Sequence, residues 1–231
     1  MKIFGHRGAA GLIAENTLES VEIALLHNVD GIEIDIHCCK TGELVVIHDE
    51  TLDRTTNGKG NVKDYSLEDL KQYSTQEGYA IPTLDQVLDL IDGQCLLNIE
   101  LKGKDTVIPT IKVLEKYIRN TNWEYNDFII SSFDHEQLFE LKKSTSHFKI
   151  GVLTEKSVVE ALPIAKKLDA FSIHPSIEIL TRDQVDLARE VGFDVYVWTV
   201  NDKELIKKSK FWKVEGIITD FPNFVTEKRS I

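Results

Sequence analysis

Short apolar runs alternate with amphipathic helical stretches along almost the whole chain, and this rhythm restricts the possible folds more than any other feature. Strand-like runs occupy residues 2–6, 31–37, 44–48, 95–101, 128–133, 148–153, 170–174, 194–199 and 216–219, most of them rich in Ile, Val and Phe and short enough to be buried. Helical patterns lie at 17–27, 84–91, 107–118, 137–143, 158–168, 184–191 and 203–209. Several begin with the spacing of a capping box: Asn16 with Glu19, Thr83 with Gln86, Ser157 with Glu160, and Thr181 with Gln184. Gly192 suits the end of the helix before it. Such alternation implies parallel strands joined by right-handed crossovers, and about eight repeats favour a closed α/β barrel over an open sheet.

The 231 residues suit one barrel domain spanning 1–231, with 42% hydrophobic and 28% charged residues leaving ample material for a core. With 27 basic and 38 acidic residues the formal charge is −11, which argues against nucleic acid as a partner. No apolar run approaches the roughly 18 residues of a membrane span, so no stable membrane insertion is expected. Residues 1–5 enter glycine and charge at once, with no room for a signal peptide. Three cysteines, Cys38, Cys39 and Cys95, two of them adjacent, suit neither a disulfide framework nor a zinc site. Together these features lead to the expectation of a cytoplasmic protein. One segment breaks the rhythm. Residues 50–81 include the turn-rich stretch 53–60 and a short helical pattern at 66–73, too long for an ordinary loop and placed to lie over a barrel mouth.

Unusual polar residues sit inside the strand candidates or at their ends. Glu33 and Asp35 are two apart, as are Glu100 and Lys102, so each pair points to one face of its strand. His6-Arg7, His48-Asp49, His174, Trp198-Thr199 and Thr219-Asp220 close other runs. In a parallel barrel such strand ends converge on one mouth, where active sites lie. Glu33, Asp35 and Glu100 would repel one another if buried alone, and a hard divalent cation, Mg²⁺ or Ca²⁺, resolves that conflict. Arg7 and Lys102 add positive charge suited to a phosphodiester. His6 and His48 are the candidate acid and base, since imidazole exchanges protons near neutral pH. His174 and Trp198 are further candidates for contact with substrate, and His37 shares the parity of Asp35.

These residues resemble the glycerophosphodiester phosphodiesterase family. The matching pieces run in the family's order: His6-Arg7-Gly8, Glu15-Asn16-Thr17, Glu33-Ile34-Asp35, Val46-Ile47-His48-Asp49, and Leu52 with Arg54-Thr55-Thr56 and Gly58. Pro82-Thr83-Leu84, Asn98-Ile99-Glu100-Leu101-Lys102, Trp198-Thr199-Val200-Asn201 and Gly216-Ile217-Ile218-Thr219-Asp220 with Pro222 follow. The resemblance implies a TIM (β/α)8 barrel with a small insertion at 50–81, and hydrolysis of glycerophosphodiesters to glycerol 3-phosphate and an alcohol. It implies His6 and His48 as acid and base, Glu33, Asp35 and Glu100 as metal ligands, and Arg7 and Lys102 as phosphate binders. The chain departs from the family at Ala14, where proline is usual, and at His37-Cys38-Cys39. Two other readings are a phosphodiesterase of the lysophospholipase D type and a non-catalytic phosphodiester-binding protein.

Overall fold

The computed structural model describes residues 1–226, so residues 227–231 of the expected 1–231 unit lie outside the described residues. The strands are β1 (Lys2–Gly5), β2 (Gly31–Cys38), β3 (Leu44–Val46), β4 (Leu96–Leu101), β5 (Phe128–Ser132), β6 (Lys149–Thr154), β7 (Ser172–Pro175), β8 (Asp194–Val197) and β9 (Gly216–Thr219). The helices are α1 (Leu18–Leu26), α2 (Leu67–Leu70), α3 (Leu84–Ile91), α4 (Val107–Asn120), α5 (His135–Ser144), α6 (Val158–Leu168), α7 (Arg182–Glu190), α8 (Lys203–Trp212) and α9 (Asn223–Thr226). Parallel pairing runs in the order β1-β9-β8-β7-β6-β5-β4-β2, and β1 pairs with β2 through Phe4↔Gly31 to close an eight-stranded barrel.

The exception is β3, which pairs antiparallel with β2 through Ile36↔Val46. The strand–helix alternation predicts parallel neighbours, but no helix separates residues 31–38 from 44–46, and a parallel return needs a crossover of about a dozen residues. The strand therefore folds back as a hairpin and descends toward the barrel, where the Ile47 N–H donates to the Asp35 carbonyl at 3.0 Å. His48 thus arrives at the mouth from above rather than at the end of a barrel strand.

Outward-facing residues such as Ile32, Ile34, Ile36, Leu97 and Ile99 are fully buried against the helices. Helix starts account for much of the register. Thr83 and Gln86 form the expected capping box, and the Ser157 and Thr181 side chains accept from the Glu160 and Gln184 N–H groups. At α1 the cap is Thr17, accepting from Ser20 N–H, and not Asn16. Asn16 has φ +57°, a left-handed conformation incompatible with the extended backbone of an N-cap. Residues 39–81 enclose a separate small apolar cluster of Cys39, Val45, Ile47, Leu52, Val62 and Leu70.

Inside the barrel, Phe4, Ile129, Tyr196 and Ile218 fill the lower layer, with Phe4 and Tyr196 edge to face at 5.4 Å. Above them the inward positions turn polar: Glu33, Asp35, Asn98, Glu100 and Ser131 are all buried. His174 has Nε2 2.8 Å from Ser172 Oγ and its ring centroid 5.4 Å from that of Tyr196. Gly151 makes room for it, since a Cβ there would lie 2.7 Å from the imidazole. Burial pushes the His174 pKa down to about 3, so the folded protein holds this ring neutral where an unfolded chain would protonate it. Stability from this group is complete above the unfolded value near 6.5 and is lost as pH falls toward 3. His174→Gln should remove that dependence. In denaturant titrations between about pH 4 and 6, the native chain should lose about 1.4 kcal/mol per pH unit more than the variant, and parallel profiles would contradict this.

Candidate active site

His6 follows β1 directly and Arg7 turns the chain back, with φ +49° and its N–H donating to Glu33 Oε2 at 3.0 Å. Gly5 permits the turn, because a Cβ there would lie 2.1 Å from the Gly8 carbonyl oxygen. The Arg7 guanidinium reaches Glu15 at 2.7 Å and Asp35 at 3.4 Å, and its Nε donates to His6 Nε2 at 3.3 Å. With Nε2 accepting, His6 Nδ1 is the donor to Asp220 Oδ1, at 2.5 Å. Burial raises the Asp220 carboxyl, but the bonds from His6 and Asn201 outweigh it and hold the group below its ordinary range.

The second histidine has the same kind of partner. His48 Nδ1 lies 2.6 Å from Asp49 Oδ1, and its carbonyl accepts from His37 Nε2 at 3.0 Å. Asp49 receives Arg54 in a two-pronged pair, Nε to Oδ2 at 2.6 Å and Nη2 to Oδ1 at 2.9 Å. Those bonds hold the Asp49 carboxyl well below the usual carboxylate range. Burial lowers His48, more than Asp35 and Asp49 raise it, so the ring is neutral near neutral pH with Nε2 free to accept a proton.

Glu33, Asp35 and Glu100 bring one carboxylate oxygen each within 4.8 Å of one another, and all three are buried. Strand parity and the registers Asp35↔Glu100 and Glu33↔Asn98 place them together. Burial, followed by repulsion from Asp35 and Glu100, pushes Glu33 well above its ordinary value. Burial and Asp35 push Glu100 up to about 7 in spite of Lys102, whose Nζ is 3.1 Å from Oε1. That contact is off hydrogen-bond geometry, so Glu100 Oε1 and the neighbouring Asn98 Oδ1 both lack an aligned donor. Oxygen-rich, crowded and short of donors, the cluster fits a hard divalent cation. Asn16 orients one of these carboxylates, its Nδ2 donating to Asp35 Oδ2 at 2.9 Å.

A pocket of about 220 Å³ opens over this cluster, lined by His6, Arg7, Glu33, His48, Asn98, Glu100, Lys102, Phe133, Leu153, Glu155, Trp198, Thr199 and Ile218. Of the nine residues expected from sequence, His6, Arg7, Glu33, Glu100, Lys102, His48 and Trp198 line it and Asp35 lies at its floor in the carboxylate cluster. His174 does not reach it. The ring sits in the layer of Tyr196, two residues below Trp198 on the same face of β8, and touches the site only through its carbonyl, which accepts from Trp198 Nε1 at 2.8 Å. Trp198 also meets Phe133 edge to face at 5.5 Å, forming an apolar wall of the pocket. Asp220, Asp49, Arg54 and Asn201 carry no assigned role among those nine. Their signal was present as polar residues at strand ends or in matching motifs, without any indication of which histidine each would meet.

The model of the glycerophosphoryl diester phosphodiesterase family matches residues 6–224. The chain belongs to this family. A glycerophosphodiester phosphodiesterase of Caldanaerobacter subterraneus subsp. tengcongensis is 40% identical over 229 residues, covering 95% of this chain and 94% of that protein. One from Bacillus altitudinis is 37% identical, covering 96% and 95%. Among solved structures, an Oleispira antarctica phosphodiesterase in complex with the product sn-glycerol-3-phosphate superposes with a TM-score of 0.92 at 26% identity, covering 100% of this chain and 97% of that one.

With carboxylates raised in this way, a cation entering the cluster would compete with protons. Affinity for added Mg²⁺ or Ca²⁺ should rise with pH through the range around 7 set by Glu100, with protons released on binding. Isothermal titration in two buffers of different ionisation enthalpy measures both. Affinity that stays flat across that range, or binding unchanged in Glu100→Gln, would contradict the assignment.

Proposed function

We propose that the chain hydrolyses glycerophosphodiesters to glycerol 3-phosphate and an alcohol, with one divalent cation, Mg²⁺ or Ca²⁺, held by Glu33, Asp35 and Glu100. The observation that carries this reading is the pairing of two histidines with two aspartates around one pocket over a buried carboxylate triad. The product complex of the Oleispira antarctica relative supports the substrate class. The three free cysteines support a reducing, cytoplasmic setting, and no helix among the described residues is long and apolar enough to cross a membrane.

A divalent ion held by Glu33, Asp35 and Glu100 would supply Lewis acidity toward the phosphate. Counting three carboxylates, Arg7, Lys102 and such an ion, the site carries +1, the complement of a phosphodiester's −1. Arg7 and Lys102 bind the phosphate and oppose the negative charge that grows in the transition state. Asp220 and Asp49 fix Nδ1 of His6 and His48 as donors, which leaves both Nε2 atoms as the working positions. At one Nε2 the proton of the attacking hydroxyl is accepted. The other ring enters the cycle as an imidazolium, protonated at Nε2 as well as at Nδ1, and gives its Nε2 proton to the departing alkoxide. Phe133 and Trp198 form an apolar wall against which the organic part of the substrate packs.

The direct test is glycerol 3-phosphate release from glycerophosphocholine and glycerophosphoethanolamine with Mg²⁺, Ca²⁺ or a chelator. Chelation should abolish release, and His6→Ala or His48→Ala should each lower kcat by about a hundredfold or more. Faster hydrolysis of lysophosphatidylcholine than of the deacylated diesters would move the substrate class to lysophospholipids. Tight diester binding without turnover would instead favour a binding protein.

A further inference from the structure

The segment 50–81 contributes one cation to the surroundings of the catalytic pocket, and its contacts are unusually complete. Arg54 makes the two-pronged pair with Asp49 and donates to both oxygens of Glu15, Nη2 to Oε1 at 2.8 Å and Nη1 to Oε2 at 3.1 Å. Glu15 in turn holds Arg7 at 2.7 Å. Asp49 therefore sits between Arg54 on one side and His48 Nδ1 at 2.6 Å on the other. The Arg54 side chain is 49% exposed, so solvent screens its ion pairs. Its geometry is that of an orienting group. A planar guanidinium gripping both oxygens fixes the plane of the Asp49 carboxylate, which a lone aspartate next to its own histidine in sequence cannot do.

We propose that Arg54 is a positioning residue for the phosphodiester reaction, locking Asp49 in the orientation that keeps His48 Nε2 directed into the pocket. Glu15 is the second anchor, holding the guanidinium in place from the loop after β1. Arg54 thereby connects the insertion to the chemistry through Asp49. His6 needs no such third group from the insertion, because Asn201 holds the far oxygen of Asp220. The proposal rests on the phosphodiesterase reading for its kinetic part and on geometry alone for its structural part.

The experiment compares the native chain with Arg54→Ala, Arg54→Lys, Asp49→Asn and the Arg54→Ala/Asp49→Asn double variant in saturating divalent cation. Arg54→Ala should lower kcat by at least about tenfold, and misplacement of a catalytic group by one ångström allows about a hundredfold. KM should change less than about threefold, and added guanidinium should restore part of the rate, since the missing group is a cationic fork. Arg54→Lys should fall between, and the double variant should be no slower than Asp49→Asn, because Arg54 acts through Asp49. Imidazole nitrogen shifts of His48, read by NMR, should show the Nδ1-protonated tautomer in the native chain and a mixture in Arg54→Ala. Unchanged His48 shifts, a loss in the double variant equal to the product of the single losses, or a kcat within about twofold of native would each overturn the proposal. If the native chain releases no glycerol 3-phosphate, the substrate reading fails while the His48 shifts still decide the role of Arg54. Should Arg54→Ala not fold, the lysine variant carries the same kinetic and spectroscopic comparison.

Discussion

Three carboxylates pressed within 4.8 Å of one another inside a barrel are the constraint on which the rest of the site depends. Buried like charges are costly, and the structure meets that cost in several ways at once. Arg7 and Lys102 approach from the rim, Asn16 donates to Asp35, and the Arg7 N–H donates to Glu33. Even so, Glu33 and Glu100 remain well above the range of ordinary carboxyls. A cluster that stays unsatisfied after so much local support has the character of a functional feature rather than a packing device.

Around that centre the molecule separates stability from chemistry by layers. Phe4, Ile129, Tyr196 and Ile218 fill the lower interior, while the helices cover the outward faces of the strands. The polar layer begins above this plug. His174 marks the boundary: its imidazole is kept neutral by burial among Gly151, Ser172 and Tyr196, and its carbonyl steadies Trp198 in the wall of the pocket. The hairpin of β2 and β3 then lowers His48 onto the rim of the pocket that His6 also lines, and residues 39–81 form a small apolar cluster of their own over that hairpin.

Much of this was legible in the sequence because strand parity is a strict rule. Two acids two residues apart in Gly31–Cys38 must share a face, and the alternation of strands and helices left the barrel as the economical closure. Direction was less legible at β3, where an apolar run looks the same in either orientation. The Asn16 cap failed for a related reason: the residue type suits a cap, but its left-handed backbone and its bond to Asp35 come from the mouth, which lies far away in sequence. Partners were the hardest to read. His6 and Asp220 are separated by 214 positions, and no local pattern tells which strand end will face which. His174 had the right residue type at a strand end, but a place one layer too deep.

The central claim is that Glu33, Asp35 and Glu100 jointly hold a divalent cation between two oriented histidines. A crystal structure with Ca²⁺ and glycerol 3-phosphate, using anomalous scattering to locate the ion, tests it most directly. The account predicts an ion bound to oxygens of all three carboxylates at about 2.3–2.6 Å, with phosphate oxygens completing its shell between His6 and His48. An ion lodged elsewhere, or glycerol 3-phosphate bound with its phosphate away from the triad, would contradict it.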